Sequence, residues 1–168
     1  MQNKLKIGWF SFSCCEDSTI IFTELLNEHW SEWKKLIEFR SALVIQRKEN
    51  LSDIDVAFVE GAITSAEQEE KLKKIRSVSK KLVAIGSCAC SGLPAGQRNM
   101  FDDAKKAEIE AILTRFSYAT MVRKLSDIVT VDDEVSGCPM NEAGFMRVIQ
   151  KYLEEFRIVP LPEKTQPG

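Results

Sequence analysis

Lys6-Ile7-Gly8-Trp9-Phe10-Ser11-Phe12 runs directly into Ser13-Cys14-Cys15-Glu16-Asp17-Ser18, and this stretch decides the fold. Its first seven residues are rich in large apolar side chains and give way to polar ones, as expected of a short buried strand. Asp17 or Ser18 can then cap a helix whose apolar positions Ile20, Ile21, Leu25 and Trp33 recur at roughly helical spacing as far as Leu36. The cysteine pair is therefore expected at the carboxyl end of a strand, in the turn that leads to a helix.

Further strands and helices follow along the chain. Ala42-Leu43-Val44-Ile45 and Ile54-Asp55-Val56-Ala57-Phe58-Val59 read as two further strands with only a polar loop between them, the second ending at Glu60-Gly61. Ser65-Ala66-Glu67-Gln68-Glu69 opens a charged amphipathic helix reaching about Ser79. Lys81-Leu82-Val83-Ala84-Ile85 is a strand that breaks at Gly86, with Cys88 and Cys90 immediately after. A loop from Ser87 to about Asn99, carrying Gly92, Pro94 and Gly96, precedes a helix from Asp102 to Arg115. Ile128-Val129-Thr130-Val131 is a candidate last strand ahead of Gly137-Cys138-Pro139. A final helix from Asn141 to about Phe156 places Phe145, Val148, Ile149 and Leu153 along one stripe.

Strands that alternate with helices predict an α/β chain with a flavodoxin-like, doubly wound and mostly parallel sheet, because parallel neighbours need crossover connections over the faces. Residues 1–156 are expected to form a single domain and 157–168 a flexible carboxyl-terminal tail. In such sheets the loops at the carboxyl ends of the strands converge on one crevice, and all five cysteines fall in those loops.

Composition narrows the function. A chain of 168 residues with 44% hydrophobic content can build a core without disulfide or metal staples, and a net charge of -2 leaves no electrostatic footprint for nucleic acid or an anionic membrane. No run of eighteen apolar residues occurs, and the start of the sequence leads into a strand without a signal-type segment, so a cytoplasmic location is expected. In a reducing compartment, five cysteines favour metal ligation or thiol chemistry over a disulfide framework.

Thiolates gathered in one crevice are soft, anionic ligands of the kind that select iron-sulfur clusters or zinc. The adjacent Cys14 and Cys15 favour a cluster, since neighbouring side chains diverge and reach two separate iron corners more easily than one tetrahedral ion. Gly86 and Gly137 allow close backbone approach, and Pro139 stiffens the last loop. Buried structural thiols and a zinc-stabilised interaction module remain the competing readings. Cys90 is expected to be a packed thiol. Glu16 and Glu60, beside the cysteine loops, suit helix-start and loop-capping roles at least as well as proton transfer. His29, the only histidine, reads as a solvent-facing helix residue, and Trp30 and Trp33 as core or partner packing. No G-x-G-x-x-G or P-loop pattern points to a nucleotide.

Three segments, Asp55-Val56-Ala57-Phe58-Val59-Glu60-Gly61, Ala84-Ile85-Gly86-Ser87-Cys88-Ala89 and Gly137-Cys138-Pro139, occur in the order of signature segments in one superfamily. Over residues 5–156 the chain resembles the small subunit of soluble, cytosolic [NiFe]-hydrogenases, a family related to the quinone-proximal iron-sulfur subunit of respiratory complex I. Gly92-Leu93-Pro94-Ala95-Gly96-Gln97-Arg98-Asn99 is similar to the corresponding loop of the soluble, NAD-linked branch. At one ligand the pattern departs: Phe12 stands where the hydrogenase branch has its earlier cysteine, and the tandem Cys14-Cys15 is similar to complex I. The resemblance implies an electron-transfer subunit, not catalytic alone, in which Cys14, Cys15, Cys88 and Cys138 hold one [4Fe-4S] cluster. It also implies a large subunit carrying the Ni-Fe centre, a further electron-transfer subunit of diaphorase or similar type, and an isolated chain prone to aggregate. A nickel-free, complex I-like oxidoreductase is the alternative within the superfamily.

Overall fold

The computed structural model describes residues 3–45 and 50–160. Five strands, β1 (Leu5–Ser11), β2 (Ile37–Ala42), β3 (Ile54–Glu60), β4 (Ser79–Ile85) and β5 (Asp133–Val135), pair in the order β2-β1-β3-β4-β5, and every pairing is parallel. This is the doubly wound order of a flavodoxin-like sheet. The helices are α1 (Asp17–Leu36), α2 (Ala66–Ser77), the short α3 (Gly86–Ser91), α4 (Asp103–Arg115) and α5 (Glu142–Glu155).

Side chains of the central strands alternate between two cores, as the period of two in a pleated strand requires. Leu5, Ile7 and Trp9 of β1, Val56 and Phe58 of β3, and Val83 and Ile85 of β4 face the layer of α1 and α5. Phe10, Ala57, Val59, Leu82 and Ala84 face the opposite side, where Leu72 and Ile75 of α2 close over them. The centre of the first core is aromatic. Trp9 stacks on Phe22 with ring centroids 4.2 Å apart, and the wholly buried Phe145 meets Trp9, Phe22 and Phe58 edge-on at 5.9, 6.0 and 5.4 Å. Edge contacts of this kind add to the burial of apolar area.

Several boundaries differ from the sequence reading. The second strand is Ile37–Ala42, not Ala42–Ile45: α1 passes into it without a loop, and its pairing with β1 begins at Leu5–Ile37 and ends at Trp9–Ala42. Leu43, Val44 and Ile45 lie beyond the sheet and are exposed. The last strand is Asp133–Val135 rather than Ile128–Val131, because Asp133, Glu134 and Val135 take the register opposite Val83, Ala84 and Ile85. Ile128, Val129 and Val131 pack from the preceding loop onto the second core. In α1 the buried stripe is Ser18, Thr19, Phe22, Leu25, Leu26 and Trp33, while Ile20 faces solvent. The expected stripe of α5 lies inward, with Phe145, Ile149 and Leu153 buried and Val148 at the margin of the core. Past α5, Ile158 still packs on the first core; residues 161–168 of the expected tail lie outside the described residues.

Truncating Phe145 removes the ring that Trp9, Phe22, Trp33 and Phe58 enclose. Phe145→Ala is expected to destabilise the chain by about 3–5 kcal/mol, measured as a lowered urea midpoint at unchanged slope. A loss below about 1 kcal/mol would mean that the aromatic centre is looser than its contacts indicate.

Candidate cluster site

Since every strand runs the same way, the turns after β1, β3, β4 and β5 gather along one rim of the sheet. Cys14 and Cys15 follow β1, Cys88 lies in α3 directly after β4, and Cys138 follows β5. All four line one small hollow together with Ser18, Glu60, Gly86, Gly137 and Pro139. The hollow itself encloses only ≈ 10 Å³. The wider room is on its outer side, in a groove of ≈ 480 Å³ that shares Cys14, Cys15 and Cys88 with it. Cys88 is buried, Cys14 half-buried, and Cys15 and Cys138 are exposed.

The turns are tied directly to one another. Glu60, at the end of β3 and 3% exposed, accepts from the Ser18 backbone N–H at 3.1 Å and from the Thr19 hydroxyl at 2.6 Å. Thr19 Oγ1 in turn accepts from Trp9 Nε1–H at 2.9 Å. A buried carboxylate is tolerated when it is hydrogen-bonded in this way, and here it also satisfies an orphan N–H in the first turn of α1. The cap of α1 is therefore a residue from another strand: Glu16 occupies the N-cap position in a left-handed conformation and makes no side-chain capping bond. Neither Asp17 nor Ser18 is the cap, because both lie inside the helix. Ser18 instead uses its Oγ to accept from Met140 N–H at 3.2 Å, joining the Cys14-Cys15 turn to the Cys138 turn. Ser87 N–H donates to Gly137 O at 2.7 Å, joining the Cys88 turn to the same segment.

Two glycines make this approach possible. Gly137 has φ +123°, and a side chain there would bring its Cβ within 2.4 Å of Pro139 O. Gly86 has φ +79°, and its Cβ would stand 2.9 Å from Ser18 Oγ. Both positions thus combine a positive φ with contact too close for any other residue.

Burial and charge set the state of the thiols. Burial, reinforced by the negative charge of Glu60, pushes Cys14 up to about 12. Burial raises Cys88 as well, against the backbone N–H of Ala95, with Cys138 and Glu60 adding to the rise. Cys15 is also raised: the Asp17 N–H favours its thiolate, but desolvation and the Asp17 side chain outweigh it. Charge effects run from Cys14 to Cys88, from Cys88 to Cys138 and from Cys138 to Cys15, and all four residues line the one hollow, a ring of thiols in that sense. Among the described residues no three of His, Cys, Asp and Glu stand close enough to hold a single ion. Four soft sulfur donors spaced around a hollow match the donor set of a cubane cluster, whose irons each take one thiolate.

Cys90 is not part of the ring. It is half-buried against the second core, its thiol points at Ala84 O at 3.6 Å, and burial pushes it up to about 12. His29 stacks on the buried Trp33 at 5.3 Å, and Trp30 is exposed on α1. Sequence reading misses Ser18 and Thr19 as fasteners of the site. Their partner is a glutamate of another strand more than forty positions away, so the pairing leaves no local pattern.

The sequence model of the family described as NADH ubiquinone oxidoreductase, 20 Kd subunit, matches residues 14–152. One subunit of the F420-non-reducing hydrogenase of Methanothermobacter marburgensis is 29% identical over 171 aligned residues, covering 92% of this chain and 55% of that protein. The delta subunit of the NAD-reducing hydrogenase HoxS of Cupriavidus necator is 23% identical, covering 88% of this chain and 78% of that one. The chain spans about half the length of the first curated relatives it matches. A chain in the crystal structure of an NAD+-reducing [NiFe]-hydrogenase in the H2-reduced state superposes with a TM-score of 0.75 at 22% identity, covering 98% of this chain and 99% of that chain, and so shares its fold. Among the described residues no helix is long and apolar enough to cross a membrane.

The raised thiols predict an order of reactivity, because the thiolate is the nucleophile. With its thiol at about 12, Cys14 should be ionised in only ~1 molecule in 10,000 at pH 8. Brief iodoacetamide treatment of the folded, metal-stripped chain at pH 8 should therefore label exposed Cys15 at least about ten times faster than Cys14 or Cys90. Each unit of added pH should speed Cys14 about tenfold. Equal labelling of the three, read by peptide mass spectrometry, would contradict the burial described above.

Proposed function

The chain belongs to the NADH ubiquinone oxidoreductase, 20 Kd subunit family, and from that premise we propose that it is the electron-transfer small subunit of a cytoplasmic [NiFe]-hydrogenase. In this reading Cys14, Cys15, Cys88 and Cys138 hold one proximal [4Fe-4S] cluster beside the Ni-Fe centre of a large subunit, and a diaphorase or similar module receives or supplies the electrons. The observation that carries the proposal is the ring of four thiols around one hollow at the rim where the strands end.

When bound, the cluster supplies one-electron transfer without proton or group transfer of its own. The chain's part is to hold and surround it. Cys14 and Cys15 would supply two ligands from the turn after β1, Cys88 one from α3 after β4, and Cys138 one from the turn after β5. Glu60 and Ser18 fix the distance between those turns, so the ligands need little rearrangement on binding. Neither residue is among the proposed ligands; Glu60 accepts from the Ser18 N–H and the Thr19 hydroxyl at the start of α1. The groove outside Cys14, Cys15 and Cys88 is where a large subunit would cover the site and exclude water.

One observation favours a second reading. Adjacent cysteines that both line the hollow are similar to complex I, in which case the partner would hold no nickel. Metal analysis of the complex purified anaerobically from its native source separates these possibilities. About four irons and four acid-labile sulfides in this subunit with nickel in its partner are expected. Iron and sulfide without nickel would select the complex I-like oxidoreductase. Zinc without sulfide would sink both and leave a zinc-stabilised interaction module.

The ring also predicts which thiol is dispensable. Cys90→Ser should retain the full iron content and an unchanged EPR spectrum of the reduced subunit, whereas Cys88→Ser should lose iron or change the cluster type. Loss of iron from Cys90→Ser would place a ligand outside the ring.

A further inference from the structure

Arg98 lies in the segment between α3 and α4, on a short helical turn at Gln97–Met100. Asn99 fastens this segment to the loop beyond α4, accepting from Val122 N–H at 2.8 Å and donating to Val122 O at 2.7 Å. The Arg98 guanidinium is held in place only in part. One Nη2–H donates to Ala119 O at 2.8 Å and the group lies 5.8 Å from the centre of the Tyr118 ring. Its Nε is buried from solvent and has no acceptor among the described residues. No carboxylate among them pairs with it, and burial disfavours its charged form. A fixed, partly desolvated cation with an unmet donor is costly in a free chain, and such a group calls for a partner.

Its position says where the partner sits. Arg98 and Tyr118 line the groove that holds Cys14, Cys15 and Cys88, and the same two residues line a second groove of ≈ 400 Å³ along α4. The Phe116 ring lies 6.3 Å from that of Tyr118 and is 58% exposed, and Met100 and Met121, near Arg98 and Tyr118 in sequence, are 69% and 51% exposed. Helix α4 buries none of its thirteen residues in the chain's own core. The two grooves meet at Arg98 and Tyr118, and the second carries Asp103, Lys106 and Glu110 beside Ile109 and Leu113; arginine and aromatic side chains are the ones that most often anchor protein interfaces.

We propose that Arg98 is the central anchor of the surface that the partner subunit covers, and that its guanidinium receives an Asp or Glu side chain of that partner. The planar fork of arginine matches a carboxylate in two parallel hydrogen bonds, and an acceptor at Nε meets the donor that the chain leaves unmet. The proposal rests on the reading above only in requiring that a partner subunit covers the thiol-lined groove. It does not depend on what metal that partner holds.

The test uses the native complex with Arg98→Gln or Arg98→Lys in this subunit, its dissociation followed by mass photometry on dilution at several salt concentrations. Arg98→Gln should weaken association at least about 30-fold and flatten its salt dependence. Arg98→Lys, which keeps the charge but not the fork, should fall between it and the unaltered protein. Iron content of the subunit serves as the control that the site itself is intact. Association of Arg98→Gln with unaltered strength and salt dependence would overturn the proposal. Hydrogen exchange on the unaltered complex decides the matter even where a variant folds poorly. Residues 97–121 should be protected on association with the partner, and no added protection there would also overturn it. A partner found to lack nickel would remove the hydrogenase reading and leave the Arg98 result as it stands.

Discussion

Parallel pairing is the constraint on which the rest of the structure depends. With β1 and β3 at the centre and all neighbours running the same way, the chain must cross a face of the sheet between paired strands, and its strands must end on one rim. Both faces are then buried, which is why β3 has no exposed residue and its one aspartate needs partners. Asp55 accepts from Lys6 N–H at 2.9 Å and from Lys80 Nζ at 2.7 Å, at the end of the strand away from the cysteines. The rim at the other end is left with backbone turns, and there the four thiols collect.

Collecting turns on a rim is not the same as fixing them. What fixes these is a polar network centred on Glu60 and Ser18 that spans β3, the start of α1 and the segment after β5. A carboxylate buried beside thiols is electrostatically unfavourable, and it adds to the burial that raises Cys14 and Cys88. The arrangement is tolerated because Glu60 gains two hydrogen bonds, one to a helix N-terminus where negative charge is favoured. Glu60 thus ties the start of α1 to β3, and Ser18 of the same helical turn ties the Cys14-Cys15 turn to the Cys138 turn. Gly86 and Gly137 permit a separation that side chains would forbid.

Much of this is legible in the sequence because strand ends and punctuation residues coincide. Glu60-Gly61, Ile85-Gly86 and Gly137-Cys138 mark the turns, and the alternation of apolar runs with amphipathic stretches is enough to argue a doubly wound sheet. The edge strands are the weak points. β2 follows α1 without a break, so Ile37-Glu38-Phe39-Arg40-Ser41-Ala42 carries no start signal of its own, and the more apolar stretch after it looks the better strand. β5 contains two acids in three residues and is a strand because β4 offers it a register and because Asp133 binds Lys151 and the Tyr152 hydroxyl of α5. No local signal carries that information. The roles of Ser18 and Glu60 are hidden for the same reason: a helix cap supplied from another strand appears only when the sheet has assembled.

The two ends of the molecule differ in how complete they are. The first core closes entirely within the chain: Trp9, Phe22, Phe58 and Phe145 are almost wholly buried without help from another subunit, and Ile158 seals its margin. Beyond the cysteine rim the balance reverses, because α4 packs none of its residues inward and Arg98 keeps a donor unmet. A helix of thirteen residues is marginal on its own in water, since most helical stability in proteins comes from packing an apolar face. Its persistence as a separate, outward element therefore makes physical sense if its packing is intermolecular. The same surface that would shield a redox centre from water is then the one that stabilises α4, so cluster protection and subunit recognition draw on a single set of contacts.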